Sequence, residues 1–323
     1  MKDKKTSVFR SNQCVMKGEL PPALLWLGDV ETFLDFLPQE ERFDLIITSP
    51  PYNIGKPYEE PTELEEYLVW QRRVVGKCID RLNESGSICW QVGNYLEKGS
   101  SGKESAIVPL DFFFYDIFRQ HGLKLRNRII WHFGHGLHCK HRFSGRYEVV
   151  LWFTKSDEYF FDLDAVRVKP KYPGKKHFKG PQAGQYSCNP KGKNPEDLWE
   201  VTGDMLTAWD CPVWQVPNVK SNHVEKTPHP CQFPVALVDR FVLSMCPAGG
   251  IVFDPFAGVA SAGVAALLNG RKFRGCEIDP SYVEIGRQRM DDALAGKARV
   301  RPFDKPIYDH RQSRLSEAPD ASN

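Results

Sequence analysis

The sequence FDLIITSPPYN occupies residues 43–53 and decides the fold. Its first part, Phe43 to Ile47, is mostly apolar and β-favouring, as expected of a strand that is buried on both faces of a parallel sheet. Pro50 and Pro51 then end the strand abruptly, because neither can donate a hydrogen bond to a neighbouring strand. In open α/β sheets, ligands bind outside the carboxyl ends of the strands. The sequence therefore predicts a ligand-facing strand end here.

Three groups at this strand end suit a flat ring that carries an amino group. Ser49 offers a hydroxyl, Pro50 an unpaired carbonyl and Tyr52 an aromatic ring for stacking. A pair of prolines can also serve only to stiffen a loop. A second motif favours the ligand-binding interpretation.

That second motif lies further along the chain. Gly250 to Gly258 is typical of a strand followed by a glycine turn, a helix of small residues runs from Ala260 to Leu268, and a further strand ends at Glu277 to Asp279. Strand, tight turn, helix and strand with an acidic end is the arrangement in which βαβ units bind nucleotides, the acid holding ribose hydroxyls. Ala260 stands where a strict dinucleotide fingerprint has glycine, which disfavours a nicotinamide cofactor.

Several segments between about Leu27 and Met290 occur in an order that points to one family. They are Gly28-Asp29, Thr48 to Asn53, Gly86 to Ile88, Glu148 to Phe153, His229 to Gln232, Phe253 to Gly258 and Glu277 to Asp279. With these segments the chain resembles the beta-class DNA amino-methyltransferases, in which the Ser-Pro-Pro-Tyr strand precedes the glycine turn. The resemblance implies an α/β, Rossmann-like methyltransferase fold, with a mostly parallel seven-stranded sheet that contains one antiparallel strand and with a target-recognition insertion.

The resemblance also implies the chemistry and the residues that perform it. Enzymes of this class use S-adenosylmethionine to methylate adenine N6 or cytosine N4 of a base that is flipped out of the duplex. The implied catalytic residues are Ser49, Pro50, Pro51 and Tyr52. The residues implied for cofactor binding are Asp29, His229, Gln232, Phe233, Asp254, Phe256, Ala257, Gly258, Glu277 and Asp279. Among these, Phe233 departs from the family, which often has lysine at this position.

A one-sign basic segment predicts contact with DNA, although the net charge of the chain is only +2. Residues 165–195 carry eight Lys or Arg and no Asp or Glu, which suits phosphate binding, with a solvated loop as the alternative. The resemblance places an embedded target-recognition region at about residues 165–225. The predicted DNA-binding residues are Asn53, His135, His138, Arg142, Arg167, Lys169, Lys175, Lys176 and Lys179.

Histidines recur at short spacing between His132 and His141, with Cys139 among them. Zinc sites normally take their ligands from two separated hairpins or helices. No second cluster accompanies this one, so no metal site is predicted, and the side chains are expected to face DNA or substrate.

Composition predicts one large domain over residues 1–323, with a tail at about residues 294–323. A chain that is 41% hydrophobic can bury a substantial core. The segment from Met1 to Gln13 is polar and basic, unlike a signal peptide, and no apolar stretch approaches the 18 or so residues of a membrane span. Nine cysteines without a Cys-x-x-Cys pair favour reduced thiols. A cytoplasmic location without a membrane partner is expected.

The target base depends on features that point in two directions. Ser49 at the first motif position resembles cytosine-N4 enzymes, whereas Asn53-Ile54 and the segment Tyr159 to Arg167 resemble adenine-N6 enzymes. We favour adenine, with cytosine as the alternative. An RNA or protein methyltransferase and a non-catalytic DNA-binding regulator are the other candidate functions. Double-stranded DNA is the expected partner, and a homodimer and a cognate restriction endonuclease stay open.

Overall fold

The computed structural model describes residues 6–10, 20–53, 62–97, 106–133, 138–168, 170, 172–200, 216–220, 222–302 and 305. The strands are β1 (Ser7–Arg10), β2 (Ala23–Leu27), β3 (Phe43–Thr48), β4 (Leu82–Val92), β5 (Asn94–Leu96), β6 (Ile107–Pro109), β7 (Lys124–His132), β8 (Tyr147–Thr154), β9 (Leu198–Glu200), β10 (Ile251–Asp254) and β11 (Lys272–Glu277). The α-helices are α1 (Val30–Phe36), α2 (Leu64–Asp80), α3 (Leu110–Gln120), α4 (Val235–Met245), α5 (Ser261–Leu268) and α6 (Pro280–Leu294).

Nine of the described strands form one sheet in the order β1-β2-β11-β10-β3-β4-β8-β7-β9. Neighbours pair in parallel, except that β8 is antiparallel to both β4 and β7. The predicted α/β fold, with a mostly parallel sheet and one antiparallel strand, is therefore confirmed. The seven predicted strands are extended by β1 and β9 at the two edges. These strands have four and three residues, too few for a periodic pattern to reveal them.

Helices cover both faces of this sheet. One face packs against α4, α5 and α6, and the other packs against α1, α2 and α3. The second face is rich in aromatic residues, and the rings of Phe43 and Phe253 stack with centroids 4.3 Å apart. Burial on both faces explains why the strands have continuous apolar runs instead of alternating polar and apolar residues.

The predicted elements agree with the observed ones in their centres and differ at some ends. The sequence pattern predicts a helix from Leu64 to Leu82, and the observed helix ends at Asp80, because Leu82 already pairs with Phe43 as the first residue of β4. A helical period also predicts a helix from Val235 to Met245, and the observed helix has those bounds. None of the helices in the described part of the chain is long and apolar enough to span a membrane.

The candidate site residues lie together where the parallel strands of the sheet end. Five adjacent parallel strands, β2, β11, β10, β3 and β4, all end there, and the antiparallel β8 begins there. Their order across the sheet brings Glu277, Asp254, Ser49 and Glu148 to one rim, although these residues are far apart in the sequence. This rim is the crevice at which α/β sheets bind ligands.

Residues 165–195 are here called the basic arm, and the described residues of this range form a largely irregular loop between β8 and β9. Two isolated antiparallel bridges, Val168 with Lys193 and Lys176 with Tyr186, hold it together. Residues 201–215 lie outside the described part of the chain, as does most of the predicted tail at 294–323. The extents of the recognition region and of the tail stay predictions.

Candidate active site

A cavity of about 380 Å³ opens at the rim, within the size range of small-molecule sites. Predicted catalytic and cofactor residues line it together, although the two sets come from distant segments. Those that line it are Asp29, Ser49, Pro50, Pro51, Tyr52, His229, Gln232, Phe233, Asp254, Phe256, Ala257, Gly258 and Glu277. Asp279 is the one predicted cofactor residue that does not line it.

Asp254 ends β10 and is almost completely buried at the cavity wall, with 3% of its surface exposed. Its Oδ1 accepts hydrogen bonds from Thr48 Oγ1 at 2.6 Å and from the Phe256 amide at 3.1 Å. Burial raises the pKa of Asp254 to about 7, against the lowering effect of these hydrogen bonds. No described cation forms a salt bridge with it, so a positively charged group entering the cavity would stabilise its charged form.

Glu277 ends β11, beside Asp254 across the sheet. Its Oε2 accepts from the Gly258 amide at 2.8 Å and its Oε1 from the Asp279 amide at 2.9 Å. Burial raises the pKa of Glu277 above its usual value. Each carboxylate oxygen retains a further lone pair, so the two oxygens can accept hydrogen bonds from neighbouring hydroxyls of a ribose.

Gly258 forms the tight turn after β10 with φ of +52°, in the left-handed region that favours glycine. A Cβ placed there would lie 3.1 Å from His229 Nε2. The turn and the His229 segment therefore meet closely at the cavity, and a side chain at this position would push them apart.

The His229 segment forms a second wall. Burial, together with the nearby charges of Lys226 and Arg289, lowers the pKa of His229 to about 4, so its imidazole is neutral at physiological pH. Gln232 is a brace, since it accepts from Thr227 Oγ1 at 2.8 Å and donates to the Glu225 carbonyl at 2.8 Å. These contacts fix the conformation of the segment itself.

Two of the predicted cofactor residues cap helices. Asp29 accepts from the Thr32 amide at 2.8 Å at the start of α1 and also lines the cavity. Asp279 accepts from the Ser281 amide at 2.7 Å at the start of α6. The carboxylate of Asp279 thus caps α6. The backbone amide of Asp279, and not its side chain, contacts the cavity residue Glu277.

The predicted catalytic strand end lies in the middle of the rim. Ser49 Oγ and the Tyr52 hydroxyl are 2.9 Å apart and hydrogen bonded. The Pro51 carbonyl accepts from the Tyr67 hydroxyl at 2.8 Å, which fixes the turn. Burial raises the pKa of Tyr52 well above its usual value, and the Glu148 carboxylate raises it further, so the hydroxyl keeps its proton.

Asn53 follows this turn but has a structural place. Its φ is +59°, and its side chain is bonded to both the carbonyl and the amide of Thr62, at 2.7 and 2.8 Å. It is 6% exposed and does not line the cavity. Both ends of its amide hold the loop, and its contact with DNA stays a prediction.

Several cavity residues were missed by sequence reasoning. Gln91 at the end of β4, Glu148 at the start of β8 and Trp131 near the end of β7 all face the cavity. Further lining residues outside the predicted set include Trp70, Phe133, Lys220 and Tyr282. These residues could have been found from their positions at the ends of strands, because residues at the same end of neighbouring strands lie on one rim. That inference requires the order of the strands in the sheet. The apolar Phe233 cannot pair with a carboxylate, whereas Lys220 brings a cation to the same cavity.

Some of the basic side chains in the basic arm form ion pairs with nearby acidic residues. Arg167 pairs with Asp164 at 2.6 Å and donates to the Gly192 carbonyl at 3.0 Å, so it is a brace within the arm. Lys191 also pairs with Asp164, and Lys193 pairs with Glu196 at 2.7 Å. Acids just outside the interval therefore neutralise part of its charge, which reduces the predicted role of Arg167 in binding DNA.

Three lysines of the arm keep an exposed charge. Lys175, Lys176 and Lys179 form no ion pair with any described residue. The ammonium of Lys176 lies 5.2 Å from the centre of the Tyr186 ring, and that of Lys179 lies 6.0 Å from the centre of the Phe178 ring. Exposed cations beside exposed rings suit contact with phosphates and bases.

The remaining predicted DNA-binding residues are placed only in part. His138 and Arg142 are exposed in the loop between β7 and β8. His135 and Lys169 lie outside the described residues. Within the described residues, no group of three His, Cys, Asp or Glu side chains could hold a metal ion.

The fold is similar to that of solved structures described as DNA methyltransferases. PvuII DNA methyltransferase (cytosine-N4-specific) superimposes with a TM-score of 0.59 at 20% identity, over 84% of this chain and 90% of that one. TTHA0409, a putative DNA modification methylase from Thermus thermophilus in complex with S-adenosyl-L-methionine, gives 0.58 at 22% identity, over 84% and 94%.

Sequence comparison then defines the family. Type II methyltransferase M.BglII of Bacillus subtilis is 44% identical over 265 residues, 82% of this chain and 68% of that protein. Type II methyltransferase M.ScaI of Streptomyces caespitosus is 34% identical over 84% of this chain and 83% of that protein. DNA adenine methyltransferase YhdJ of Escherichia coli (strain K12) is 30% identical over 82% of each.

Residues 43–288 match the DNA methylase family, and the chain belongs to that family. The membership of the beta-class DNA amino-methyltransferases predicted from the motifs is confirmed, and with it the dependence of that class on S-adenosylmethionine.

Proposed function

We propose that the chain methylates the exocyclic amino group of a flipped base in double-stranded DNA, at adenine N6, and that the cavity at the rim is its active site. The observation that carries the proposal is the order of groups across the sheet. Glu277 and Asp254 lie on one side of Ser49, and Gln91 and Glu148 lie on the other. A cofactor site and a base site are thus adjacent, with the Ser-Pro-Pro-Tyr strand end between them.

The residues on the first side fit S-adenosylmethionine. Asp254 is a buried carboxylate without an ionic partner among the described residues, which suits an ammonium group. Glu277 has both oxygens placed by backbone amides, which suits ribose hydroxyls. When bound, S-adenosylmethionine supplies a methyl group that is activated by a positively charged sulfur.

The second side fits a flat base. Trp131 and Phe133 form an edge-on aromatic pair with ring centroids 5.4 Å apart at the cavity, and Tyr52 provides another ring. Stacking on such rings offsets part of the few kcal/mol that it costs to flip a base out of the duplex. The Trp131 ring is fixed in place by its Nε1, which donates to the Val216 carbonyl at 2.8 Å.

The Ser-Pro-Pro-Tyr strand end prepares the amino group for reaction. The lone pair of an exocyclic amine is delocalised into the ring, so the nitrogen is a poor nucleophile until the amino group is held out of conjugation. Ser49 Oγ and the Pro50 carbonyl can accept its two hydrogens, which favours a pyramidal nitrogen and stabilises the positive charge that develops on it. After transfer the nitrogen releases one proton to water, and no covalent bond to the protein is needed.

The target base is tested by expression in a host without endogenous DNA methylation, followed by mass spectrometry of the nucleosides. We expect N6-methyldeoxyadenosine in this DNA and much less of it in DNA from a matched Ser49→Ala strain. N4-methyldeoxycytidine instead would establish the second candidate, which Ser49 at the first motif position favours. Absence of both methylated nucleosides, with wild-type protein present and folded, would refute the proposed function.

Location and cofactor affinity add further expectations. The described cysteines are all free thiols, which suits the cytoplasmic location that we propose. Because Asp254 has a pKa of about 7, we expect it to bind an ammonium only after losing its proton. Acid should therefore weaken cofactor binding.

The pKa of Asp254 determines how strongly the cofactor Kd should depend on pH. Below a pKa of about 7, each pH unit costs up to about tenfold in affinity, so the Kd should rise roughly 15-fold between pH 7 and pH 5.5. An ordinary α-amino group stays protonated over this range. His229, with a pKa of about 4, stays neutral, and Glu277 is the other nearby titratable group. Calorimetry at several pH values measures the change, and a flat Kd would contradict it.

The exposed lysines of the basic arm are expected to bind DNA phosphates. Replacing Lys175, Lys176 and Lys179 together with alanine should weaken DNA binding for all sequences and flatten the plot of log K against log salt by up to about 0.9 per lost phosphate contact. Fluorescence anisotropy with duplex DNA at several salt concentrations measures both quantities.

A triple variant of Lys77, Lys124 and Lys155 is the matched control. It removes the same charge, but these lysines already pair with Asp35, Asp157 and Glu84, respectively. We expect its DNA affinity and salt slope to stay near wild type. Equal effects of the two triple variants would mean that net charge, and not the arm, determines binding.

A further inference from the structure

We propose that Glu148 is a positioning residue, which acts through Gln91 and Tyr52 to orient the Ser49 hydroxyl toward the target amino group. The inference rests on the proposed function, and it assigns a role to Glu148, which belongs to one of the family segments but is not among the predicted site residues. The proposed network consists of a carboxylate, an amide and two hydroxyls that follow one another along the rim.

Strand pairing places Glu148 beside Gln91. Gln91 of β4 lies opposite Val150 of β8, so Glu148, two residues before Val150, is its diagonal neighbour on the same face. Gln91 Nε2 donates to Glu148 Oε2. The pair lies at the cavity wall, where Gln91 is 3% exposed.

Glycine at position 93 brings Tyr52 to this pair. A Cβ on Gly93 would lie 3.1 Å from Cε2 of the Tyr52 ring and 3.8 Å from Cγ of Glu148. Without a side chain there, the ring packs directly against the end of β4. The Tyr52 hydroxyl is hydrogen bonded to Ser49, and hydrogen bonding from the nearby Gln91 side chain lowers the pKa of Tyr52, against the larger effect of burial.

The carboxylate at one end of this network determines which group donates and which accepts in each hydrogen bond. Glu148 can only accept, so the NH₂ group of Gln91 must face it, and the second hydrogen of that group is available to the Tyr52 oxygen. Because the Tyr52 oxygen accepts from Gln91, its own hydrogen turns to Ser49 Oγ, 2.9 Å away. The Tyr52 hydroxyl stays protonated because it is buried and lies near a negative charge.

The direction matters at Ser49. A hydroxyl that is free to rotate offers its hydrogen or its lone pairs, and only a lone pair can accept from an amino group. With one lone pair of Ser49 Oγ occupied by the Tyr52 hydrogen, the other is held in a defined position. Pre-organised acceptors of this kind act on the transition state and not on cofactor binding.

The amide oxygen of Gln91 supports a functional interpretation. It is buried and has no hydrogen-bond partner among the described residues. A purely structural brace normally satisfies both ends of a buried amide. Here the amide oxygen is left without a partner while the NH₂ group donates to Glu148, as expected when the carboxylate determines the orientation of the Gln91 amide.

The first test is Glu148→Gln, which keeps the shape and removes the acceptor-only group. We expect kcat for methyl transfer to unmethylated genomic DNA to fall at least tenfold, with the Kd for S-adenosylmethionine within twofold of wild type. The Tyr52→Phe background provides a double-mutant cycle, because Phe cannot pass on the hydrogen bond. In that background, Glu148→Gln should lower kcat by less than twofold further.

A swapped pair separates positioning from structural support. Gln91→Glu combined with Glu148→Gln restores a complementary pair between β4 and β8, but it places the carboxylate next to Tyr52, where it would take the hydrogen that Ser49 receives. We expect the Tm to return close to wild type while kcat stays low. Recovery of kcat together with the Tm would overturn the inference.

The outcomes also distinguish this inference from the proposed function. If wild-type protein transfers methyl groups and Glu148→Gln has wild-type kcat, the inference fails alone. If wild-type protein transfers none, the proposed function fails. Should the swapped variant not fold, the cycle with Tyr52→Phe decides, since equal losses in both backgrounds would show that Glu148 does not act through Tyr52.

Discussion

Ser49→Ala should lower kcat for methyl transfer about 100-fold to 1000-fold, while the Kd for S-adenosylmethionine stays within a few-fold of wild type. A single pre-organised hydrogen-bonding group at a reacting centre contributes this much to transition-state stabilisation. Ser49 lies at the end of β3, whereas the proposed cofactor carboxylates end β10 and β11. The measurement is steady-state transfer of labelled methyl groups to DNA, beside calorimetry of cofactor binding.

Tyr52 gives a matched pair of variants for the same site. Tyr52→Ala removes the ring and the hydroxyl and should reduce kcat as strongly as Ser49→Ala, because the flipped base loses a stacking surface. Tyr52→Phe keeps the ring and removes only the hydrogen bond to Ser49, so a smaller loss is expected. If cofactor affinity fell in parallel with kcat in these variants, the strand end would belong to the cofactor pocket instead.

Asp254→Asn should have opposite effects on cofactor binding and on stability. The variant loses the charge that pairs with an ammonium group, worth about 1.5 to 3 kcal/mol, so the Kd should rise roughly ten- to a hundredfold at pH 8. Asparagine Oδ1 can still accept from Thr48 and from the Phe256 amide, so the fold of the turn should be retained.

The stability effect follows from the raised pKa. Between the ordinary value of 3.8 and about 7, the folded protein keeps a proton on Asp254 that the unfolded chain loses, so stability falls as the pH rises through that window. Above it, the folded protein carries a buried charge. Asp254→Asn should therefore raise the free energy of unfolding by a few kcal/mol at pH 8 and leave it nearly unchanged at pH 4.

Thermal unfolding without cofactor at the two pH values measures this difference. Glu277→Gln is the comparison, because its carboxylate accepts backbone amides on both oxygens and an amide would lose one of those bonds. We expect a smaller gain or a loss of stability for that variant. A lower Tm of Asp254→Asn at pH 8 would contradict the assignment of Asp254 as a costly buried charge.

Local patterns were sufficient for the fold and for the parts of the site that lie in continuous segments. Apolar runs ending in Ser-Pro-Pro-Tyr or in a glycine turn indicate parallel strands with functional ends, and the structure places both at one cavity. The α4 helix was predicted with its observed bounds, because its period and its flanking prolines are local signals. Short edge strands such as β1 lack such signals.

Residue type alone did not predict the structural contacts that some of the candidate site residues make. Asn53, Arg167 and Asp279 have side chains suited to DNA or cofactor binding, but the structure uses them to clip a loop, brace the basic arm and cap a helix. Their partners lie within the same segments or close to them, yet sequence does not reveal which of two polar neighbours takes a hydrogen bond. Charge in the basic arm was likewise overestimated, because the neutralising acids stand just outside the interval.

The sequence by itself determined the family, the cofactor class and the two motifs whose residues line the cavity, since motif order and strand periodicity are properties of the chain. The tertiary structure alone decided that Gln91 and Glu148 join them. These residues belong to strands that pair in antiparallel fashion, and their proximity depends on the register of β4 with β8. Register is set by the packing of both faces of the sheet and not by any local pattern, so a polar group that acts through its neighbour on the next strand becomes visible only when the sheet is assembled.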